Sequence, residues 1–412
     1  MIGNESKELV IIENNEKFTS YYFYNNFIKR VAEFYLNNKD MSFDFLLFQG
    51  YSGNYSIDPI TLPLLISLGE QLKRYHKNTP IKLNFASTSF VQEVLDFLNE
   101  TDFFHVIGKN SNPLYPIGRD IFDFNVNNLD TLSGKKFRPN HKIRGYSILE
   151  DDLYNILNSF EKDDDRRDYL IEYYTFKVQN HFLDLLEDKI HTNNLKNDFV
   201  EILSELITNG VLHSHSNVYA LMFSDRFKTK FSISDNGIGL YESLNNKLDT
   251  NIYSKFKLYK VLMSEMTILC SDSQKESLFA IFETLYYSML KDRRGLFDLI
   301  SKVIIDCNGY FRLHNDNAQI IISNRMYNEL IPLLQIRKKI LDIHNHYGYH
   351  NLIDKEYKVK LMPLLEVGFQ SFLVFSKTVI EKYNVDVKFS SVRFYQVKFK
   401  GVHIEVEIPN IN

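Results

Sequence analysis

The sequence predicts an α/β protein, and three observations carry that expectation. A chain of 412 residues is long enough for about two or three domains. Residues 43–107 alternate strand-like with helix-like patterns, the signature of an α/β unit. Residues 197–235 then run from an amphipathic helix into two short strands.

The composition narrows the class. Hydrophobic residues make up 44% and charged residues 24%, as in ordinary globular proteins. A net charge of −4, spread over both signs, is not that of a polyanion binder, so nucleic acid is not expected as a partner. The two cysteines, Cys270 and Cys307, form no CxxC pair, which argues against a disulfide scaffold or a cysteine zinc site. The N-terminus MIGNESKELVII lacks the pattern of a signal peptide, and no apolar run reaches the ~20 residues of a membrane span. A cytoplasmic setting without a membrane partner is therefore expected.

Along the chain, residues 1–40 read as a helical lead-in, with YYFYNNFIKRVAEFYLNN carrying apolar residues at three and four spacings. A first α/β domain is expected over 41–130. FDFLLFQG (43–50) is a buried-strand pattern. In the following helix, Pro63 sits early and Leu64, Leu65, Leu68 and Leu72 form one stripe. IKLNFAS (81–87) alternates as a strand, and Ser89 is a candidate N-cap for the next helix. Turn formers dominate 108–145, so a domain boundary is placed there. A connecting helical region spans 131–195, and its charge run EKDDDRRDY (161–169) reads as a solvated segment.

A second domain is expected over 196–412. It opens on a helix in which Asn197 or Asp198 serves as cap. The stretch ELITNGVLHSHS places Glu205, Asn209 and His213 four residues apart, along one line of that helix. A carboxylate beside an amide oxygen can manage a hard cation such as Mg²⁺ and its waters. NVYALMFS and KTKFSISD read as two strands, with Phe231 and Ile233 alternating with polar neighbours. They lead into DNGIGL, where Gly237 and Gly239 let the backbone pass close to a ligand. Asp235, at the strand end, can accept a hydrogen bond from an exocyclic amine.

Taken together, E-x-x-x-N-x-x-x-H, a strand pair and D-x-G-x-G resemble the GHKL (Bergerat-fold) ATPases, and ELITNGVLHS looks most like the anti-sigma kinase branch. The resemblance implies a Bergerat-type α/β sandwich, a mixed sheet covered by helices, with ATP and Mg²⁺ as cofactors. It implies that Glu205 orients or deprotonates the attacking water, that Asn209 ligates Mg²⁺ and that Asp235 binds the adenine amine. Gly237 and Gly239 would let the loop follow the nucleotide, with His213 among the nucleotide-binding residues. Residues 241–292 would be the ATP lid. The family's glycine-rich phosphate loop is reduced here to Gly295, preceded by Arg293 and Arg294, whose guanidinium groups suit phosphate. NGYFRL and AQIII resemble the hairpin beyond it. KGVHIEVEIPN resembles the last strand, with Val402 at the usual threonine. Residues 325–390 are then an insertion, and its His344, His346 and His350 read as a solvated turn.

Residues 55–107 resemble a STAS domain, but the place of that family's phosphoacceptor serine falls at Pro59 or Ile60, beside Asp58. Ser87, Thr88 and Ser89 lie on a later loop. The resemblance implies a protein-interaction or self-docking element. The functional expectation is a slow ATPase that couples its nucleotide state to a protein partner, in signalling or defence, with room for a homodimer. The alternatives are a protein serine or histidine kinase of the anti-sigma type and a non-catalytic nucleotide-sensing module.

Overall fold

The computed structural model of the chain describes residues 8–410 except 40, 50–54, 87, 112–115, 130–141, 151, 188–192, 215–216, 251, 348–354 and 385–388. Ser87, His350 and the expected boundary at 130–131 lie outside the described residues.

The fold is mixed α/β, with a four-stranded parallel sheet, a five-stranded antiparallel sheet and a short parallel pair, Lys17–Phe18 with Ser56–Ile57. The first sheet contains β1 (Glu8–Ile12), β2 (Asp44–Phe48), β3 (Ile81–Asn84) and β4 (Phe122–Asp123). They pair in parallel and in chain order. The segment expected as a helical lead-in thus contributes a strand first; ELVII is too short and β-branched to wind, and it finds β2 as its partner. Helix α1 (Ile28–Asn37), α2 (Leu62–Tyr75) and α3 (Gln92–Glu100) connect the strands. Strands in chain order with right-handed crossovers place their helices on one face. The burial agrees: Phe45, Leu47, Ile81 and Leu83 are buried, whereas Lys82 is exposed. Ser89 does not cap α3; Val91 takes the cap position without a side-chain bond.

The second sheet contains β5 (Arg144–Tyr146), β6 (Val218–Ser224), β7 (Lys228–Asp235), β8 (Tyr310–Ser323) and β9 (Val392–Pro409). Its order is β8-β9-β7-β6-β5, antiparallel throughout. The expected hairpin within 310–323 does not form. Tyr310–Ser323 is one strand that stays paired with β9, and the polar run Asn315–Asn317 makes a bulge, with Asp316 at φ 56°, instead of a reversal.

Both faces of this sheet are buried. Along β6, Val218, Ala220 and Met222 join the core formed with the C-terminal helices, while Tyr219 and Leu221 join the core of the N-terminal unit. Strands buried on both sides read as continuous apolar runs, which accounts for VYALMF. The polar partners of Phe231 and Ile233 are not solvated: Lys230, Ser232 and Ser234 are buried against the N-terminal unit. Lys230 and Ser234 are matched across the interface. Lys230 Nζ meets Asp58 at 2.8 Å, and Ser234 Oγ lies 2.6 Å from Ser67 Oγ and 2.5 Å from His403 Nδ1. Tyr24 stacks on His314 at 4.0 Å.

On the opposite face lie α4 (Asp163–Glu187), α5 (Asn193–Ser214), α6 (Gly239–Asn245), α7 (Lys257–Glu265), α8 (Asp272–Leu290) and α9 (Leu296–Ser301). Helix α5 starts four residues before Asn197, so neither Asn197 nor Asp198 caps it; Asp198 instead pairs with Arg294 and with Lys302 at 2.6 Å. Residues 325–390 supply α10 (Tyr327–Tyr347) and α11 (Lys355–Glu381). In the histidine cluster there, His346 is exposed but in the last helical turn of α10, and His344 is not solvated: it is buried, with Nε2 3.0 Å from the Leu290 carbonyl and Nδ1 3.0 Å from Tyr357 OH. The stretch Glu356–Glu381 contains an 18-residue window of mean hydropathy 1.3, so by length and composition it is apolar enough to span a bilayer, which the sequence reading overlooked. Its Leu361, Leu365, Phe369 and Phe372 pack into the core.

Arg337 of α10 is fully buried. It donates to both Asp298 oxygens, at 3.2 and 2.8 Å, and to the carbonyls of Met289 (3.1 Å), Lys291 and Arg293 (2.8 Å). The insertion thereby holds the turn between α8 and α9. Arg337→Met leaves a carboxylate and three carbonyls without their donor, and should cost about 3–5 kcal/mol in urea denaturation with an unchanged m-value.

Candidate functional site

One half-open cavity, roughly 860 Å³ including its mouth, lies between α5, the end of β7, α6, α8 and β9. Glu205, Asn209, Asp235, Gly237, Gly239 and Gly295 all line it. Three stretches far apart in sequence therefore meet at one place. The local reasons are simple. Helix α5 packs its apolar side, Leu203, Leu206, Ile207 and Val211, into the core, and that rotation turns Glu205 and Asn209 toward β7. His213 lies in the last turn of α5; its side chain lies outside the described residues.

Asp235 ends β7 with its carboxylate gripped by backbone. Its Oδ1 accepts from Gly237 N at 2.7 Å and Val402 N at 3.3 Å. Burial pushes its carboxyl up to about 6, although these two N–H bonds pull the other way. Gly239 has φ +79°, and a Cβ there would crowd the Asn315 and Asp316 oxygens at 3.3 Å. Asn315 Oδ1 instead accepts from Leu240 N at 2.9 Å, which fixes the start of α6. Gly401 has φ +109°, and a Cβ would sit 2.0 Å from the Asp235 carbonyl, so only glycine lets β9 pass this close. Leu206, Ile233, Ile238, Leu240, Leu296 and Ile404 make the walls apolar.

The charged part of the cavity differs from the expectation. Arg294 does not line it; its guanidinium is taken by Asp198 and by Glu201 at 3.4 Å, on the outer side of α5. Arg293 pairs with Asp168 at 2.7 Å. The cations on the cavity wall are Lys247 and Lys291, both over the Tyr287 ring at 4.9 Å. Burial, then the nearby Arg167 charge, lowers Lys247 to about 8. The same two causes lower Lys291, opposed by Glu205. Arg167 of α4 in turn holds Glu205, Nη2 to Oε1 at 2.6 Å, with both side chains largely buried. Sequence reasoning missed Arg167, Lys247 and Lys291. One signal was present: Thr284, Tyr287, Ser288 and Lys291 recur at helical spacing in an otherwise apolar stretch, and all four line the cavity.

The cavity wall carries two lysines and two carboxylates, and one of the carboxylates, Glu205, is already paired with Arg167, so the lysine end favours an anion, while the apolar walls and Asp235 favour a flat group bearing a donor. Among the described residues no group of three or more His, Cys, Asp and Glu side chains could hold a metal. Mg²⁺ is nevertheless compatible with Asn209, because it needs few protein ligands when phosphate oxygens complete its shell.

Comparison with protein-family models, with curated proteins and with solved structures returned no match to this chain.

Because Arg167 depresses both lysines, Arg167→Gln should move their titration upward toward the ordinary lysine range. NMR titration of ¹⁵N-labelled lysine side chains reads that shift directly.

Proposed function

We propose that the chain binds Mg·ATP in this cavity and hydrolyses it slowly, as a GHKL-type domain carrying a STAS-like N-terminal unit. The observation that supports this reading most is the meeting of Glu205, Asn209 and Asp235 around one cavity. Asp235 accepts from the adenine amine, and the apolar walls flank the ring. Asn209 holds Mg²⁺ together with phosphate oxygens. Lys247 and Lys291 take the phosphate charge that a glycine-rich loop would otherwise receive through its N–H groups. Bound Mg²⁺ supplies charge neutralisation at the transferring phosphoryl group. Glu205 is the base for water once Arg167 turns from the carboxylate to the phosphate. The spent or bound nucleotide then sets the lid helices and a partner surface, in signalling or defence.

The second reading, a nucleotide-sensing module without turnover, is favoured by the Arg167–Glu205 pair, which occupies the proposed base. A histidine kinase using His181 is disfavoured. That ring is buried, with Nδ1 2.7 Å from Tyr146 OH and Nε2 2.5 Å from the Lys142 carbonyl.

Incubation with γ-labelled ATP separates the readings: free phosphate marks an ATPase, labelled protein a kinase, and tight binding with neither product a module. Asp235→Asn should weaken ATP about a hundredfold or more in calorimetry, because the amide presents N–H₂ to the adenine amine. Glu205→Ala should abolish turnover while binding stays near intact, since removing its charge frees Arg167 for phosphate.

The affinity should peak between about pH 6 and about pH 7 and decline further through about pH 8. Below the lower value Asp235 is protonated and loses its acceptor. As pH rises through about 7 and then about 8, Lys291 and then Lys247 lose the charge that phosphate needs. Phosphate stabilises the ammonium form, so binding near pH 8 should take up protons, measurable in buffers of differing ionisation enthalpy.

A further inference from the structure

Helix α2 of the N-terminal unit reaches the back of the candidate site. Gln71 Nε2 donates to Asn236 Oδ1 at 2.9 Å and to the Lys400 carbonyl at 2.9 Å. Glu70 Oε2 accepts from Asn236 Nδ2 at 2.8 Å and from Tyr219 OH at 3.0 Å. Its Oε1 accepts from Asn217 Nδ2 at 3.0 Å and from Arg74 at 2.5 Å. Both ends of the buried Asn236 amide are therefore held by two neighbouring residues of one helix. Asn236 lies between Asp235 and Gly237. Lys400 lies two residues before Val402. Gly237 and Val402 are the residues whose N–H groups grip Asp235 Oδ1. Gln71 thus staples together the two backbone segments that aim the Asp235 carboxylate.

We propose that Gln71, supported by Glu70, is a positioning residue for recognition of the base, so that affinity for the base portion of the ligand depends on the docked N-terminal unit. This rests on the adenine-nucleotide reading of the cavity. The chemistry explains the selectivity. Asp235 has a single oxygen fixed by backbone, and its second oxygen is free to meet an amine only while the 235–237 and 400–402 segments keep their register. The lysines that would meet phosphate lie just beyond the C-terminal ends of α6 and α8, Lys247 and Lys291, and Gln71 does not touch them. A lost staple should consequently affect the base and spare the phosphates.

The test uses the full chain and two probes in calorimetry: ATP, which carries the base, and inorganic tripolyphosphate, which lacks it. Gln71→Ala should weaken ATP about tenfold, the scale of one lost part-buried hydrogen bond, and leave tripolyphosphate unchanged. Gln71→Met keeps the side-chain volume and should do the same, which serves if the alanine variant fails to fold. Asp58→Asn is the control: it breaks the ion pair with Lys230 in the same interface, away from the 235–237 loop. It should lower the melting temperature without changing either affinity.

Equal weakening of both probes by Gln71→Met, or of neither, overturns the positioning role. So does loss of ATP affinity in Asp58→Asn, which would mean that any loosening of the interface suffices. If the unaltered chain binds tripolyphosphate and not ATP, the nucleotide reading itself falls, and this role with it.

Discussion

The antiparallel sheet is buried on both faces, and most of the structure follows from that constraint. A strand such as β6 has apolar side chains pointing both ways, so helices on one side leave Tyr219 and Leu221 to be covered. The N-terminal unit covers them. Its polar groups then have to match those of β7 and β9, because buried polar atoms are costly without partners. The Asp58–Lys230 pair, the Ser67–Ser234–His403 chain and the Glu70–Asn236 bond are those matches. Close contact between the units is thus a condition of folding this sheet, and it places α2 directly behind the cavity.

Within the cavity, burial sets the electrostatics. Two lysines are buried in the cavity wall near the Arg167 charge, so burial first and then that charge make them give up protons more readily than in water. An arriving polyphosphate would relieve that cost. Asp235 bears the opposite strain, a carboxylate kept from water with backbone N–H groups on one oxygen. The two ends of the cavity therefore differ in character, a buried carboxylate at one and lysines at the other.

The elements of the site were legible in sequence because each obeys a local rule. Residues four apart on α5 share a side, which brought Glu205 and Asn209 together. A strand ending on D-x-G-x-G announces a close approach of backbone, and Gly239 needs its positive φ. The cations were not legible. Arg293 and Arg294 stood beside Gly295 in sequence, yet acids on α4 and α5 were nearer to them in space than the cavity was. Lys247 follows the end of α6, and only packing of α6 against α8 brings it to Tyr287. The hairpin expected within 310–323 failed for a related reason: the polar run looked like a turn, but a long β9 kept the strand paired past a bulge.

The sequence by itself determined the α/β class, the helix with its Glu205 and Asn209 line and the glycine-bearing loop after β7, because these depend on periodicity and on local backbone sterics. Only the tertiary structure decided which cations face the cavity, that Glu205 is held by Arg167, that His181 and His344 are core residues, and that the N-terminal unit braces the 235–237 loop. Those outcomes depend on contacts between residues far apart in the chain. No local pattern encodes them, because charge pairing and burial are settled only when the layers pack.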